Sequence, residues 1–328
     1  MKAQILGAGY ALPNRVLSNA ELEQMVDTSD EWIVTRTGIR ERRICDEDKA
    51  ASDLGYEAAK MALARAGVSP LEIDLIIVAT VTPDMLFPST ACLIQDMLGA
   101  TNAAAFDLSA GCTGFVYALA LADRYLMSPS CRNVLIIGVE ILSRITDYTD
   151  RNTCVLFGDG AGAMVLGKGQ GSCGILSTCL GADGGGRDLL YMPAGGSRLP
   201  ASIKTVANRE HFIKMAGNEV FKFATRVVPE YASKVLKDAG LTIEDVDHVV
   251  LHQANIRILQ TAAKRLRVPW EKMVVNIDRY GNMSSATVPV AVAEAVEQDR
   301  IKDGDLILMV AFGAGLTMGA ALVRWGRD

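Results

Sequence analysis

The chain has 328 residues, of which half are hydrophobic and 22% are charged. This length predicts one large α/β unit or two domains, and the apolar content excludes a disordered chain. The 33 basic and 38 acidic residues leave a net charge of −5, which argues against binding to nucleic acid or an anionic membrane over a broad surface. Contact with a phosphorylated ligand or an acidic partner would therefore need a local patch of Arg and Lys.

A helix–loop–strand pattern occurs twice along the chain. Residues 66–78 and 239–251 each read as the end of a helix, a glycine, a short loop and an apolar strand, and Gly67 and Gly240 set an offset of 173 residues. Such patterns are common in α/β proteins, so chance similarity is the alternative. A second match at nearly the same offset favours duplication: Cys112 and Ser284 each open a predicted helix that leads to an apolar strand.

A third match pairs residues 157–160 with residues 312–315 at an offset of 155, so the first half carries about 17 extra residues around Val139 to Val155. The repeat predicts an α/β fold of two similar halves, residues 1–172 and 173–328. In such a fold, catalytic groups are expected at strand ends and helix N-termini where the halves meet.

The segment from Leu306 to Val323 has 18 uncharged residues, which is the lower limit for a transmembrane helix. Gly313, Gly315 and Gly319 interrupt it, so it is better explained as two buried strands joined by a glycine turn. We therefore expect no membrane span. The N-terminal apolar stretch is short and lacks a cleavage signal, so no secretory leader is expected either.

The chain has seven cysteines at irregular spacings and no C-x-x-C pair, which favours neither a disulfide framework nor a metal site and predicts a reducing cytoplasm. Cys112 differs from the others because Gly111 and Gly114 lie on either side of it at a predicted strand-to-helix turn. There the helix dipole would lower the thiol pKa and favour a nucleophilic thiolate. The alternative is a small buried hydrophobic residue.

Two further polar residues occur where predicted strands give way to helices. His252 follows the apolar strand of residues 249–251, and it is the only one of three histidines at such a junction. A satisfied structural histidine is the alternative. Asn282 precedes the second-half helix, and on its own it is better explained as a turn or N-cap residue.

Together these motifs resemble the β-ketoacyl-acyl-carrier-protein synthase III family, the condensing enzymes that initiate type II fatty-acid synthesis. The resemblance runs from end to end. It implies a thiolase-like fold, with two duplicated halves in a five-layered αβαβα arrangement, and a homodimer. The motifs that carry it are DEWIVTRTGIRER at 30–42, the glycine-flanked Cys112, DR at 150–151, FGDGAGA at 157–163, AGNEVF at 216–221, HQAN at 252–255 and GN at 281–282.

The resemblance also implies the reaction. Cys112 would take an acyl group from acyl-CoA as a thioester, and malonyl-acyl-carrier protein would then lose carbon dioxide and attack it. His252 and Asn282 would donate hydrogen bonds to the developing oxyanion. Ala314 lies where the family often has glycine, but it keeps the backbone N–H that this turn is expected to supply. Acyl-CoA is a substrate, and neither a metal nor another cofactor is implied.

Binding residues follow from the same resemblance. Those expected to hold CoA and pantetheine are Trp32, Arg36 and Arg151, with Thr28, Asn218, Phe221 and Asn255. Those expected around the acyl pocket are Phe87, Leu142, Phe157 and Phe312, with Leu316 nearby. Those expected to receive the acidic carrier protein are Lys222, Gln253, Arg257, Lys264 and Arg265.

Elongating ketoacyl synthases use two histidines and thiolases use a second, late cysteine, whereas this chain has no cysteine after Cys179. The Cys–His–Asn set therefore favours the initiating synthase. Two alternatives stay open at this point: an acyl-CoA-dependent condensing enzyme of a specialised-metabolite pathway, and a non-catalytic subunit of the same fold. The joint presence of Cys112, His252 and Asn282 argues against the non-catalytic subunit.

Overall fold

The structure is a computed structural model that describes residues 2–327. It is a mixed α/β fold. The strands are β1 (Lys2–Ala11), β2 (Arg15–Ser18), β3 (Glu41–Ile44), β4 (Leu75–Ala79), β5 (Ala104–Leu108), β6 (Asn133–Ile141), β7 (Asp159–Gly169), β8 (Gly174–Ala182), β9 (Leu190–Tyr191), β10 (Lys214–Met215), β11 (His248–Leu251), β12 (Leu306–Gly313) and β13 (Thr317–Arg324). The α-helices are α1 (Asn19–Leu22), α2 (Asp30–Thr37), α3 (Ala51–Ala66), α4 (Thr90–Leu98), α5 (Gly114–Tyr125), α6 (Arg151–Cys154), α7 (Ile203–Ala207), α8 (Gly217–Ala239), α9 (Ile256–Leu266), α10 (Ile277–Tyr280) and α11 (Thr287–Glu297).

Two sheets organise the chain. The first has the strand order β1-β7-β6-β4-β5, in which β4 runs parallel to both β5 and β6. The second has the order β11-β12-β13-β8, in which β11 runs parallel to β12. All five residues of β4 are apolar and buried, as expected for a parallel strand covered on both faces. The division at residue 172 falls between β7 and β8 and remains a prediction.

The predicted repeat is present in the structure. Helices α3 and α8 end at Gly67 and Gly240, which adopt left-handed φ values of 66° and 68°. A side chain disfavours that conformation, so glycine ends both helices at equivalent points. The strands that follow, β4 and β11, begin at positions separated by the same 173 residues.

The residue pairing across the repeat needs one correction. Short 3₁₀ turns at 111–113 and 284–286 precede α5 and α11, and each begins at a residue with positive φ, Gly111 at 53° and Ser284 at 45°. Backbone conformation therefore pairs Gly111 with Ser284 and Cys112 with Ser285. The sequence had paired Cys112 with Ser284, because side-chain polarity alone does not reveal φ.

The extra residues of the first half lie where the repeat predicted them. Residues 142–158 connect β6 to β7 and include α6, whereas residues 314–316 alone connect β12 to β13. This longer connection matters for function, because it carries Leu142, Arg151 and Phe157. The segment 306–323 forms two paired strands rather than one helix, with Gly313 opposite Thr317 at the turn, so that prediction is confirmed. Within residues 2–327, every helix is too short or too polar to cross a membrane.

Three hydrophobic clusters define five layers. One packs α3 and α4 on the outer face of the first sheet. The second lies between the two sheets around α5 and α11, and the third packs α8 and α9 on the outer face of the second sheet. This is the αβαβα order that the resemblance implied. The central layer brings the N-termini of α5 and α11 together, where Cys112 and Asn282 lie.

Candidate active site

Cys112 lies in the 3₁₀ turn that precedes α5, pressed against the turn between β12 and β13. A Cβ atom added to Gly313 would lie only 2.6 Å from the backbone nitrogen of Cys112. One added to Gly111 would lie 3.0 Å from the backbone nitrogen of Ala314. These contacts require glycine at both positions and hold the two backbone N–H groups of Cys112 and Ala314 in the same region.

The thiol of Cys112 is 7% exposed, and its protonation differs from the sequence prediction. The pKa of Cys112 is raised to about 12. Burial is the main cause; hydrogen bonding to Ser284 lowers the pKa, and the nearby Glu140 carboxyl raises it. The prediction of a lowered pKa from the helix N-terminus is therefore wrong. Desolvation of the thiolate outweighs the dipole because the turn is buried on all sides. Cys112 is a neutral thiol until something removes its proton.

His252 follows β11 and is fully buried. Its Nδ1 lies 2.7 Å from Oγ1 of Thr287 in α11, and its ring meets the Phe312 ring edge to face with centroids 5.3 Å apart. Burial lowers the pKa of His252 to about 3. The imidazole is therefore neutral at physiological pH, and it carries a single N–H.

Asn282 is held by backbone and side-chain bonds together. Its backbone N–H donates to the carbonyl oxygen of Leu156 at 2.9 Å, and its own carbonyl accepts from the N–H of Gly158 at 3.0 Å. The side-chain Oδ1 accepts a hydrogen bond from the backbone N–H of Ser284 at 2.8 Å. This fixes the amide orientation, so that its NH₂ group is the end available to a ligand.

Cys112, His252 and Asn282 line one cavity of about 290 Å³. They come from three separate segments, and only the packing of the two halves brings them together. The walls leading away from them include five of the residues expected along the CoA path, namely Trp32, Arg36, Asn218, Phe221 and Asn255.

At the outer end of this cavity, two cations lie close to an aromatic ring. The guanidinium carbons of Arg36 and Arg151 lie 4.8 Å and 5.0 Å from the centroid of the Trp32 ring. The Thr28 hydroxyl nearby is buried and has no hydrogen-bond partner within residues 2–327. Asn255 caps α9 and donates to the carbonyl oxygen of Arg36 at 2.9 Å. A ring stack with adjacent cations suits a heteroaromatic base that carries phosphate.

A second, apolar cavity of about 170 Å³ opens on the other side of the thiol. Leu142 and Phe157 line it, as expected for an acyl pocket. Phe312 instead lies beside His252 in the first cavity. Leu316 is buried against Gly186, outside the apolar cavity. The remaining apolar lining consists of Val81, Ile145, Leu190, Tyr191, Met192 and Ile213.

Phe87 does not line the apolar cavity of its own chain. Its side chain is 83% exposed, on a loop that leaves β4 and leads into α4. The sequence placed it at the pocket, but the fold carries this loop outward along the side of the sheet where β5 forms the edge. A role in the acyl pocket therefore requires a second copy of the chain.

The residues expected to receive a carrier protein divide into two groups. Lys222, Arg257, Lys264 and Arg265 are exposed on α8 and α9, and Arg257 also lies over the Phe221 ring at 5.7 Å. Gln253 is 0% exposed, and its amide donates to the carbonyl oxygens of Leu251 and Val274. That prediction is wrong: Gln253 satisfies backbone groups in the interior and is out of reach of a protein partner.

Three residues at the site were not predicted. They are Ser284, Thr287 and Glu140, and all three are buried. Each contacts either a member of the Cys–His–Asn set or another of these three residues. Glu140 was detectable in principle, because it is the only charged residue in the apolar run from Val134 to Leu142. A buried acid in a strand interior is rare unless it is paired or hydrogen-bonded.

Comparison with known proteins identifies the family of the chain. Residues 106–184 match the family model for 3-oxoacyl-[acyl-carrier-protein (ACP)] synthase III, and residues 236–325 match the model for its C terminal part. The β-ketoacyl-[acyl-carrier-protein] synthase III of Syntrophomonas wolfei subsp. wolfei is 62% identical over 328 residues, which cover 100% of this chain and 99% of the relative. The chain belongs to the synthase III family. It is thus a condensing enzyme of the acyltransferase class.

Solved structures of the synthase III family agree. The 3-oxoacyl-[acyl-carrier-protein] synthase III of Aquifex aeolicus aligns with a TM-score of 0.91 at 48% identity, covering 98% of this chain and 100% of that one. The priming β-ketosynthase of the R1128 polyketide biosynthetic pathway aligns with the same TM-score at 38% identity, covering 99% and 97%. Identity to the synthase III proteins is higher than identity to this polyketide enzyme, so the comparison does not favour a specialised pathway.

Proposed function

We propose that the chain condenses a short acyl-CoA primer with malonyl-acyl-carrier protein through Cys112, His252 and Asn282, giving β-ketoacyl-acyl-carrier protein, CoA and carbon dioxide. One observation carries the assignment of residues. The three side chains line a single cavity whose outer end has the Trp32 stack, and an apolar cavity opens on the far side of Cys112. The thioester of a CoA-bound primer would then lie at the thiol, with its acyl chain in the apolar cavity.

In the first half-reaction, the Cys112 sulfur attacks the carbonyl carbon of the acyl-CoA thioester, and CoA leaves as its thiolate. The carbonyl oxygen becomes negatively charged in the tetrahedral intermediate. The backbone N–H groups of Cys112 and Ala314, held together by the contacts of Gly111 and Gly313, are the donors we assign to it.

In the second half-reaction, malonyl-acyl-carrier protein loses carbon dioxide and negative charge develops on its thioester oxygen. A neutral His252 and the NH₂ group of Asn282 supply hydrogen bonds to that oxygen without adding charge to the site. The resulting carbanion attacks the acyl-Cys112 thioester, and the cysteine sulfur leaves. The neutral state of His252 follows from its burial.

We also propose that the working unit is a homodimer. In the first sheet β5 is an edge strand, and its residues are at least partly exposed. Leu86 and Phe87 are both 83% exposed, which is unusual for large apolar side chains unless a partner covers them. Met85 and Leu86 line a groove with Ile145 and Met192, two residues that also line the acyl cavity. These exposures support a partner at this face, and we propose that Phe87 of a second copy closes the cavity.

The exposed cations of α8 and α9 are the proposed docking site for the acidic carrier protein. Arg257 joins this surface to the mouth of the first cavity, which it also lines. The phosphopantetheine arm of the carrier would enter there. We infer a reducing cytoplasm for the protein, since all seven cysteines are free thiols. The reaction as proposed uses acyl-CoA as a substrate and needs no cofactor.

Incubation with a panel of acyl-CoAs, followed by mass measurement of the Cys112 peptide, tests the first half-reaction and defines the primer. Acetyl, branched or longer adducts should appear on Cys112 and be absent from Cys112→Ser. Stable thioester labelling of the Cys112→Ser protein would overturn the assignment. Replacing malonyl-carrier protein by malonyl-CoA in the second step should reduce the rate strongly. In a Lys264→Ala variant, the difference in rate between these two malonyl donors should be smaller.

A further inference from the structure

The floor of the site contains a carboxyl group with no assigned role. Glu140, near the end of β6, is 0% exposed. Its Oε2 accepts hydrogen bonds from the N–H of Val81 at 3.1 Å and from the hydroxyls of Thr82 at 2.9 Å and Thr80 at 3.4 Å. Its Oε1 accepts from the hydroxyls of Ser284 at 3.0 Å and Ser285 at 2.9 Å. Burial raises the pKa of Glu140, whereas these hydrogen bonds favour its ionised form, in which the carboxylate can accept a proton.

Ser284 connects this carboxylate to the nucleophile. Ser284 and Cys112 line the same apolar cavity, and the Ser284 hydroxyl, which donates to Oε1 of Glu140, lowers the pKa of the Cys112 thiol. The backbone N–H of Ser284 donates to Oδ1 of Asn282, and its carbonyl oxygen lies 2.9 Å from the Thr287 hydroxyl. The hydroxyl is thus the only group of Ser284 left to act on the sulfur.

We propose that Ser284 passes the proton of the Cys112 thiol to Glu140 when the cysteine attacks acyl-CoA. The S–H bond breaks and its proton goes to Oγ of Ser284, while the hydroxyl proton of Ser284 goes to Oε1 of Glu140. The sulfur lone pair forms the new thioester bond, and CoA leaves as a thiolate. When condensation releases the Cys112 thiolate, the proton returns along the same path. The inference rests on the proposed role of Cys112 as the nucleophile.

Charge conservation in a buried site is the physical reason. A Cys112 thiolate beside an ionised Glu140 would put two unscreened negative charges in the interior. Transfer of the proton to Glu140 limits the site to one negative charge during the attack, and the CoA thiolate carries that charge away when it leaves. The other groups around Glu140 are uncharged: Thr80, Val81 and Thr82 after β4, and Ser284 and Ser285 before α11. Of the other titratable side chains at the two cavities, His252 is made a weak base by burial, Arg36 and Arg257 line the first cavity, and Tyr191 lines the apolar one.

The pH profile of Cys112 alkylation by iodoacetamide tests the relay. In the wild-type protein, the reactive Cys112 thiolate forms when its proton moves to Glu140, and no proton is lost to solvent. The alkylation rate should therefore be independent of pH around neutrality. In Glu140→Gln and Ser284→Ala, the thiolate forms only by losing a proton to solvent, so the rate should rise about tenfold per pH unit. Both variants should also acylate from acetyl-CoA about 100-fold more slowly.

Ser285→Ala is the matched control, because the Ser285 hydroxyl bonds the same carboxylate and the carbonyl oxygen of Ala79, whereas the hydroxyl that acts on the Cys112 thiol is that of Ser284. It should keep the flat profile. A purely structural role for Glu140 would instead lower the unfolding midpoint and slow acylation and malonyl-CoA decarboxylation together. A flat profile in both Glu140→Gln and Ser284→Ala, or acylation within about threefold of wild type, overturns the relay. Failure of the wild-type protein to become acylated on Cys112 would instead overturn the proposed function.

Discussion

Oγ1 of Thr287 lies 2.7 Å from Nδ1 of His252 and 2.9 Å from the carbonyl oxygen of Ser284. The hydroxyl has one proton for these two acceptor positions, and the neutral imidazole has one N–H. The proposed role of His252 requires the state in which the hydroxyl donates to Nδ1 and the imidazole proton is on Nε2. In the other state, the hydroxyl donates to the carbonyl oxygen of Ser284 and Nδ1 carries the proton. The tautomer with the proton on Nε2 is the one that can donate to the malonyl thioester oxygen.

We therefore expect Thr287→Val to impair the second half-reaction specifically. Valine keeps the shape but cannot donate to Nδ1, so the donor tautomer loses its support. Decarboxylation of malonyl-CoA should fall about 100-fold, comparable to the loss of one oxyanion donor. Acylation of Cys112 should remain near the wild-type rate. Thr287→Ser keeps the hydroxyl and is the control; if it behaves like Thr287→Val, the tautomer explanation is wrong.

The buried histidine predicts a pH dependence of stability. The pKa of His252 is about 3 in the folded chain, and about 6.5 when exposed on unfolding. Between these values the unfolded chain binds a proton that the folded chain does not. The contribution to stability is therefore complete above about pH 6.5 and is lost progressively as the pH falls toward 3.

Urea unfolding of wild type and His252→Asn at pH 7 and pH 5 measures this effect. The free energy of unfolding of the wild-type protein should fall by about 2 kcal/mol more than that of the variant over this interval. Buried acids titrate in both proteins, so their contributions cancel in the difference. An equal loss in the two proteins would show that His252 is accessible to protons in the folded state.

The close approach of the two turns predicts that Gly313→Ala abolishes acylation. The new Cβ would lie 2.6 Å from the backbone nitrogen and 2.9 Å from the Cβ of Cys112, so the nucleophile or the β12–β13 turn must move. We expect at least a 100-fold loss of Cys112 acylation and a destabilisation of about 1–3 kcal/mol from overpacking. Gly184→Ala has open space around it and should retain activity. Full activity of Gly313→Ala would mean that the turn geometry is unimportant.

The Trp32 stack predicts a binding defect rather than a chemical one. Trp32→Ala removes the ring close to Arg36 and Arg151, and the KM for acyl-CoA should rise about tenfold with little change in kcat. Steady-state kinetics with acetyl-CoA give both values. Trp270 is 44% exposed and lies far from the cavity lining, so Trp270→Ala should leave both constants unchanged. A fall in kcat alone for Trp32→Ala would contradict the assignment.

Local sequence features were sufficient for the architecture. Helices α3 and α8 end at Gly67 and Gly240 because both positions adopt the left-handed conformation, which glycine takes readily. The uncharged segment from residue 306 to residue 323 divides at its glycines into two strands. These are properties of short segments, so a repeat in the sequence predicts a repeat in the fold.

Features that depend on contacts between distant segments were predicted less well. Gln253 was predicted at the carrier-protein surface, yet it is buried. Phe87 was predicted at the acyl pocket, yet it is exposed. The short spacing between a strand and a helix does not specify which face of the junction is covered. The Gln253 side chain, for example, bonds Val274 and Asn276, which belong to a different segment from its own strand–helix junction.

The sequence by itself predicted the duplicated α/β architecture, because glycine caps and apolar strands are local signals, and its resemblance to the synthase III family predicted Cys112, His252 and Asn282 as the site. Only the tertiary structure decided how those residues are protonated. Burial of Cys112 and His252 moves their pKa values in opposite directions, to about 12 and about 3, since desolvation penalises the charged form of each. It also revealed Glu140, a carboxylate 28 positions from Cys112 that accepts a hydrogen bond from Ser284 and that we propose as the proton acceptor.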